Sequence, residues 1–183
     1  MNPYAEFYEA LLRQHGGEWF DFEGLIRDIY TSLLKPGDWC VDAGANRGDH
    51  TFQMASAVAP GGRVIAIEAV PDLVAQMQKD LDMYPPEFRQ IIEFHTCGVS
   101  DTSKSATFYY APQVAGLSGL RNRSVLQGQE VRLIQVELVQ IDQICRDANG
   151  PIHFLKIDIE GGEYNAIRGA SQTITLHQPV IVF

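Results

Sequence analysis

The sequence predicts an α/β fold in which a mostly parallel sheet carries helices on both faces. Three observations predict it. From about residue 37 short apolar runs alternate with amphipathic stretches, the runs are continuous rather than alternating, and several close on an acidic residue or a glycine. With 183 residues, 45% of them hydrophobic and 20% charged, the chain has the size and composition of one globular domain. No apolar run is long enough to span a bilayer.

Two helical patterns open the chain, at about 4–14 and 22–34, and Lys35-Pro36-Gly37-Asp38 stops the second. Residues 1–36 are therefore read as an N-terminal helical cap and 37–183 as the main domain. Trp39-Cys40-Val41, closed by Asp42, is the first strand, and the helix behind it shows Phe52, Ala55, Val58 and Ala59 on one side. Pro60-Gly61-Gly62 ends that helix. The second strand, 64–67, lacks alternation, as a strand covered on both faces should, and Glu68 terminates it. Pro71 and Asp72 start a helix with Leu73, Val74, Met77, Leu81 and Tyr84 on one face, and Pro85-Pro86 breaks it. A third strand covers 91–97. Segments 105–110 and 131–139 are β-rich and flank a loop of Gly, Ser and Gln, which predicts an inserted antiparallel pair. A short helix at 142–148, a strand Ile152–Ile157, a helix at 163–170 and an apolar run at 180–183 complete the series. A final apolar strand predicts either a sheet cut short after its fifth strand or an edge buried in a homodimer.

Composition narrows the function. A formal charge of −9 disfavours nucleic acid as a partner. Arg121-Asn122-Arg123 is a local basic exception, read as solvated surface. Cys40, Cys97 and Cys145 are far apart with no C-x-x-C pair, and are read as reduced, mostly buried thiols. The start lacks the basic-then-apolar pattern of a secretory signal, so a cytoplasmic location is expected. Without an H-E-x-x-H pair or clustered cysteines, no metal is expected.

The most informative stretch is Val41-Asp42-Ala43-Gly44-Ala45-Asn46-Arg47-Gly48-Asp49-His50-Thr51, between the first strand and its helix. Glycines there let the backbone turn sharply and approach a ligand, and free N–H groups at a helix start favour an anionic group. Glu68 follows Gly48 at roughly the twenty-residue distance from which an acidic side chain reaches a ribose diol. Asn46 stands where a dinucleotide fingerprint has its second glycine, and Asp42 would repel a diphosphate while attracting an ammonium. The charge pattern therefore favours S-adenosylmethionine over a nicotinamide cofactor.

On these residues the sequence resembles the FkbM-like family of S-adenosylmethionine-dependent methyltransferases. The matching pieces are V-D-A-G-A-N-R-G-D-H-T, I-E-A-V-P-D from Ile67, V-S-D from Val99, and L-K-I-D-I-E-G-G-E-Y-N-A-I-R-G-A from Leu155. The resemblance implies a Rossmann-like methyltransferase sheet, with Asp42, Gly44, Ala45, Asn46, Gly48 and Thr51 around the methionine part and Glu68 and Ala69 at the ribose. It further implies that Cys97, Gly98 and Val99 flank the adenine and that Asp158 closes the pocket. The acceptor it implies is a small molecule methylated on a hydroxyl: a sugar, lipid or natural-product precursor. Two departures stand out: Gln140 replaces a frequent threonine before Ile141-Asp142, and the segment that usually follows the fifth strand is absent.

Strand alternation puts Lys156 and Asp158 on one face, with Glu160 continuing that direction if the strand persists. A hydroxyl acceptor wants a general base, and Asp158, Glu160 and Glu163 are the candidates, with Lys156 joining them if burial depresses its pKa. A structural Lys156–Asp158 pair, or a divalent metal on the three carboxylates, are the alternatives weighed for these groups. His50 lies within the cofactor turn and could face the ligand or be a satisfied surface residue. The small residues at 115–120 could form a lid, and Tyr4, Phe7, Tyr8, Trp19 and Phe20 could line an acceptor pocket. At the level of function, the alternatives are a non-catalytic cofactor-binding module and a nicotinamide-dependent oxidoreductase.

Overall fold

The computed structural model describes residues 21–148 and 150–183. The expected helix at 4–14 and the aromatic residues Tyr4, Phe7, Tyr8, Trp19 and Phe20 lie outside them. The first described helix, α1 (Phe22–Leu33), begins where the Asp21 carboxylate accepts the Gly24 N–H at 2.8 Å. It buries Tyr30 against the body of the domain.

Five strands form a parallel sheet in the order β3-β2-β1-β7-β8: β1 (Trp39–Ala43), β2 (Arg63–Glu68), β3 (Ile92–Thr96), β7 (Ile152–Ile157) and β8 (Val180–Val182). The two-residue period sorts each strand between two cores. Cys40, Val64, Ala66, Ile92 and Phe154 pack under α1, α2 (Asp49–Val58) and α3 (Pro71–Asp80). Val41, Ala43, Ile65, Ile67, Leu155 and Ile157 pack on the other face, under α5 (Ile141–Ile144), α6 (Glu163–Arg168) and α7 (Ser171–His177). Burying apolar surface on both faces contributes roughly 25 cal/mol per Å², which is why these runs lack polar alternation. The architecture is the α/β, Rossmann-like one that the sequence predicts.

The insertion is a second sheet. β5 (Lys104–Tyr110) and β6 (Arg132–Val139) pair antiparallel as expected, and β4 (Gly98–Val99) adds parallel to β6. Three details differ from the sequence reading. β1 continues through Asp42 to Ala43. A short helix, α4 (Phe88–Ile91), precedes β3, and Phe88 stacks on Tyr84, which stacks in turn on Phe52. α7 was not foreseen; its first N–H groups, from Gln172 and Thr173, are accepted by the Asp142 carboxylate at 3.0 and 2.8 Å.

Candidate functional site

The carboxyl ends of β1, β2 and β7 and the turn between β3 and β4 open into one cleft, whose empty volume counted out to solvent is about 1000 Å³. Ligands in open α/β sheets bind at this edge. Gly44, Ala45 and Asn46 line it from the turn after β1, Glu68 and Ala69 from the end of β2 and the residue after it, and Gly98 and Val99 from β4. Lys156, Asp158 and Glu160 line it from β7 and the turn that follows. Thus most of the predicted residues meet on one surface. Asp42, Gly48 and Thr51 do not line it.

Asp42 sits apart from the predicted residues that line the cleft. Because β1 runs on to Ala43, the alternation turns Asp42 toward α2 beside its register partner Lys156, rather than toward the cleft. It is fully buried; Thr51 Oγ1 donates to its Oδ2 at 2.7 Å, and Lys156 Nζ stands 3.4 Å from Oδ1, an ion-pair contact that leaves Oδ1 without a hydrogen bond. Asp42 is therefore the counter-ion of Lys156, and Thr51 supports it.

The glycines also serve the protein's own packing. At Gly44, with φ +85°, a methyl group would sit 1.8 Å from the Asp158 carbonyl oxygen, because the ends of β1 and β7 are joined there by the Asp158 N–H donating to the Ala43 carbonyl at 2.9 Å. At Gly48, with φ +88°, a methyl group would meet the Phe52 ring at 2.7 Å.

Glu68 is nearly buried, and each of its oxygens has a backbone donor: Val70 N–H to Oε1 at 2.8 Å and Asn46 N–H to Oε2 at 2.9 Å. Burial raises its pKa and the backbone N–H groups offset this only in part. Asn46 takes up a left-handed conformation, φ +51°, and its Oδ1 is buried without a partner.

On the β7 side the four candidate bases separate. Lys156 is buried between carboxylates, 3.4 Å from Asp42 and 3.5 Å from Asp158. Burial alone would lower its pKa, but the charges of Asp42 and Asp158 outweigh it and the net shift is upward. Lys156 is therefore a cation, not a base at neutral pH. The strand ends at Ile157 and Glu160 sits at φ +60°, where its Oε2 receives Arg123 Nη1 at 2.7 Å. Arg123 is thus an ion-pair partner and not solvated surface. Glu163 accepts the Gly161 N–H at 2.8 Å and closes its own turn, outside the cleft. Asp158 is half exposed and faces the cleft.

Several contributors were not foreseen, among them Glu23, Asp49, Phe108 and Leu138. Glu23 and Asp49 stand on the cleft beside His50, whose Nε2 contacts Glu23 at 2.6 Å and whose Nδ1 contacts the Tyr30 hydroxyl at 3.2 Å. His50 is thus both satisfied and on the cleft wall. Phe108 and Leu138 reach the cleft from the inserted sheet; the only signal for them was the apolar alternation of their strands. The expected lid is partly fixed: Ala115, Gly116, Ser118 and Leu120 line the cleft, and Gly119 pairs with Tyr109 through two backbone hydrogen bonds of 2.9 and 3.2 Å.

Among the described residues no group of three His, Cys, Asp or Glu side chains is placed to hold a metal ion, and no helix is long and apolar enough to cross a membrane. Cys40, Cys97 and Cys145 are all free and buried; burial raises their pKa values, to about 11 for Cys97 and about 12 for Cys145.

Comparison with solved structures finds a methyltransferase FkbM from Methylobacillus flagellatus KT, 21% identical, with a TM-score of 0.57 over 85% of this chain and 38% of that one. The likeness is one of fold, and the chain spans well under half of that relative's length. Weaker likenesses include fibrillarin from Aeropyrum pernix with natively bound S-adenosyl-L-methionine, 13% identical, with a TM-score of 0.42 over 77% of this chain and 44% of that one. Another is a SAM-dependent methyltransferase from Aquifex aeolicus, 21% identical, with a TM-score of 0.33 over 42% of this chain and 38% of that one. A search of the curated proteins finds no match. A family model described as "Methyltransferase FkbM domain" matches residues 42–183, and the chain belongs to that family.

Proposed function

We propose that the protein is an S-adenosylmethionine-dependent methyltransferase acting on a hydroxyl oxygen of a small molecule, such as a sugar, lipid or natural-product precursor. The observation that carries this reading is the pairing of Glu68 and Asn46 across adjacent strand tips on a cleft of sufficient size. Backbone N–H groups of Val70 and Asn46 each hold one Glu68 oxygen, presenting the carboxylate on the cleft to accept from a ribose diol. The unbonded Asn46 Oδ1 can accept from an ammonium or hydroxyl. Ala69, Val99, Phe108 and Leu138 offer an apolar slot for a flat ring. The residues present therefore fit the cofactor, with Gly44, Ala45, Asn46 and Asp158 toward its methionine part.

When bound, S-adenosylmethionine supplies a methyl group on a sulfonium. The chain must then align an acceptor, exclude water and take up the hydroxyl proton. Asp158 is the group we assign to the proton, because it is half exposed on the cleft and, at 3.5 Å, shares Lys156 with Asp42, whereas Glu160 holds a short ion pair with Arg123, Glu163 is held by backbone N–H groups and Lys156 is charged. Lys156 holds the Asp158 carboxylate in place. The same reading takes residues 1–36 as a cap, 37–183 as the cofactor-binding domain, and the cytoplasm as the location, in keeping with three free, buried thiols. It also takes β8, which pairs on one side with β7, as a candidate dimer edge.

Calorimetry should show S-adenosylhomocysteine binding to the wild-type chain. Asp158→Asn should lower turnover on a hydroxylated acceptor by about 10²–10⁴, well beyond any loss of S-adenosylhomocysteine affinity. A wild-type chain that ignores S-adenosylhomocysteine, or an Asn variant with full turnover, sinks the respective half of the reading.

A further inference from the structure

Arg123 is outside the cleft lining, yet it grips two elements that form the lining. Its Nη1 donates to Glu160 Oε2 at 2.7 Å and its Nη2 to the Leu117 carbonyl at 2.6 Å. Leu117 ends the 3₁₀ turn Pro112–Leu117, and the residues on either side of it, Gly116 and Ser118, face the cleft. Other ties hold this segment elsewhere. Ser118 Oγ accepts the Ala111 N–H at 3.0 Å, Gly119 pairs with Tyr109, and Ala115 rests on the cluster of Val70 and Leu73. Among the described residues, Arg123–Glu160 is the hydrogen-bonded link between the segment and the turn after β7. Glu160 is itself presented by a fixed turn, because the Glu163 carboxylate holds the Gly161 N–H.

We propose that Arg123 is a positioning residue: it latches the 112–123 segment over the cleft as a roof that retains the cofactor. This rests on the reading of the cleft as an S-adenosylmethionine site. Both partners are only 30% exposed, and the contact is charge-assisted and short, so the pair should be stronger than an open surface ion pair. An arginine suits the place because one planar fork reaches a carboxylate and a carbonyl at once, which a lysine ammonium on a flexible stem does not reproduce.

The test is S-adenosylhomocysteine calorimetry combined with amide hydrogen exchange over residues 115–121. In the wild type the ligand should slow exchange of these amides. Arg123→Ala should weaken binding about tenfold, or about 1.4 kcal/mol, and abolish the slowing, with Arg123→Lys intermediate. Glu160→Gln should weaken binding similarly, and the double variant no further, since the two side chains act as one link. Where Arg123→Ala does not melt cooperatively, the same cycle with Arg123→Lys decides. Wild-type affinity and roof protection in the Arg123 variant, or strictly additive losses in the double variant, overturn the latch while leaving the cofactor site standing. Absence of wild-type binding removes both.

Discussion

Asp42 and Glu68 stand near the carboxyl ends of neighbouring strands and meet opposite fates. Glu68 is the last residue of β2 and turns its carboxylate over the cleft, where backbone N–H groups hold it. Asp42 is one residue short of the end of β1 and is buried against Lys156. The same chemical group thus faces the cleft or becomes an internal counter-ion according to one step of strand register. The cost also differs: Glu68 is held by neutral donors and is destabilised by burial, whereas Asp42 is balanced by a cation.

The sharpest way to break this comparison is to remove one member of the buried pair. Lys156→Met leaves the buried Asp42 charge uncompensated and should cost on the order of 3–5 kcal/mol in denaturant unfolding, and Asp42→Asn, which leaves Lys156 with Asp158 alone, should cost less. The double variant should recover much of that. The folded-state pKa of Lys156 lies above the ordinary lysine value of 10.5. Its contribution is therefore fully present below that pH and lost as pH climbs through the folded value. Unfolding curves of the wild type and Lys156→Met should converge above this point. Single variants that keep wild-type stability would show that Asp42 is not the counter-ion.

For Glu68 the effect should fall on ligand rather than fold. Glu68→Gln removes a charged acceptor of two hydroxyls, a loss of about 1.5–3 kcal/mol, and S-adenosylhomocysteine should bind about 10–100 times more weakly. The pH window, not the sign, separates this effect from that of Lys156, whose pKa is raised from a much higher starting value. The folded pKa of Glu68 lies above the ordinary 4.5, so its contribution is complete below that pH and lost as pH rises through the folded value. The stability of the wild type relative to Glu68→Gln should accordingly decline from acid toward neutral pH. A rise over that interval would mean that the carboxylate is stabilised, not strained, by its site.

The sheet was legible because strands buried on both faces give continuous apolar runs, punctuated by Pro36-Gly37, Pro60-Gly61-Gly62 and Pro85-Pro86. The glycine turn and Glu68 were legible because their spacing is local to one strand-helix-strand unit. Which way Asp42 faces was not, because it depends on whether β1 stops at Val41 or at Ala43, and both endings read alike in sequence. Arg123 was read as solvated surface since its partner Glu160 lies 37 residues further along. The fate of Glu163 was hidden for a different reason: a glutamate two residues past Gly161 looks the same whether it meets solvent, a substrate or the backbone of its own turn.

Asp142 supplies a third carboxylate against which the other two can be measured. Like Glu68 it accepts two backbone N–H groups, from Gln172 and Thr173, but it does so while only partly buried and away from the cleft. The helix it caps, Ser171–His177, carries two threonines and a histidine and propagates poorly on its own. Neither helix period nor local cap announced it, because the cap comes from thirty residues earlier. Asp142→Ala should therefore cost about 1 kcal/mol in unfolding free energy, with the loss of helix signal in circular dichroism small and S-adenosylhomocysteine affinity unchanged. A backbone-bonded carboxylate outside the cleft should act on the fold alone. A fall in cofactor affinity in this variant would instead tie α7 to the cleft through β7, and the separation between the carboxylates of the fold and those of the site would fail there first.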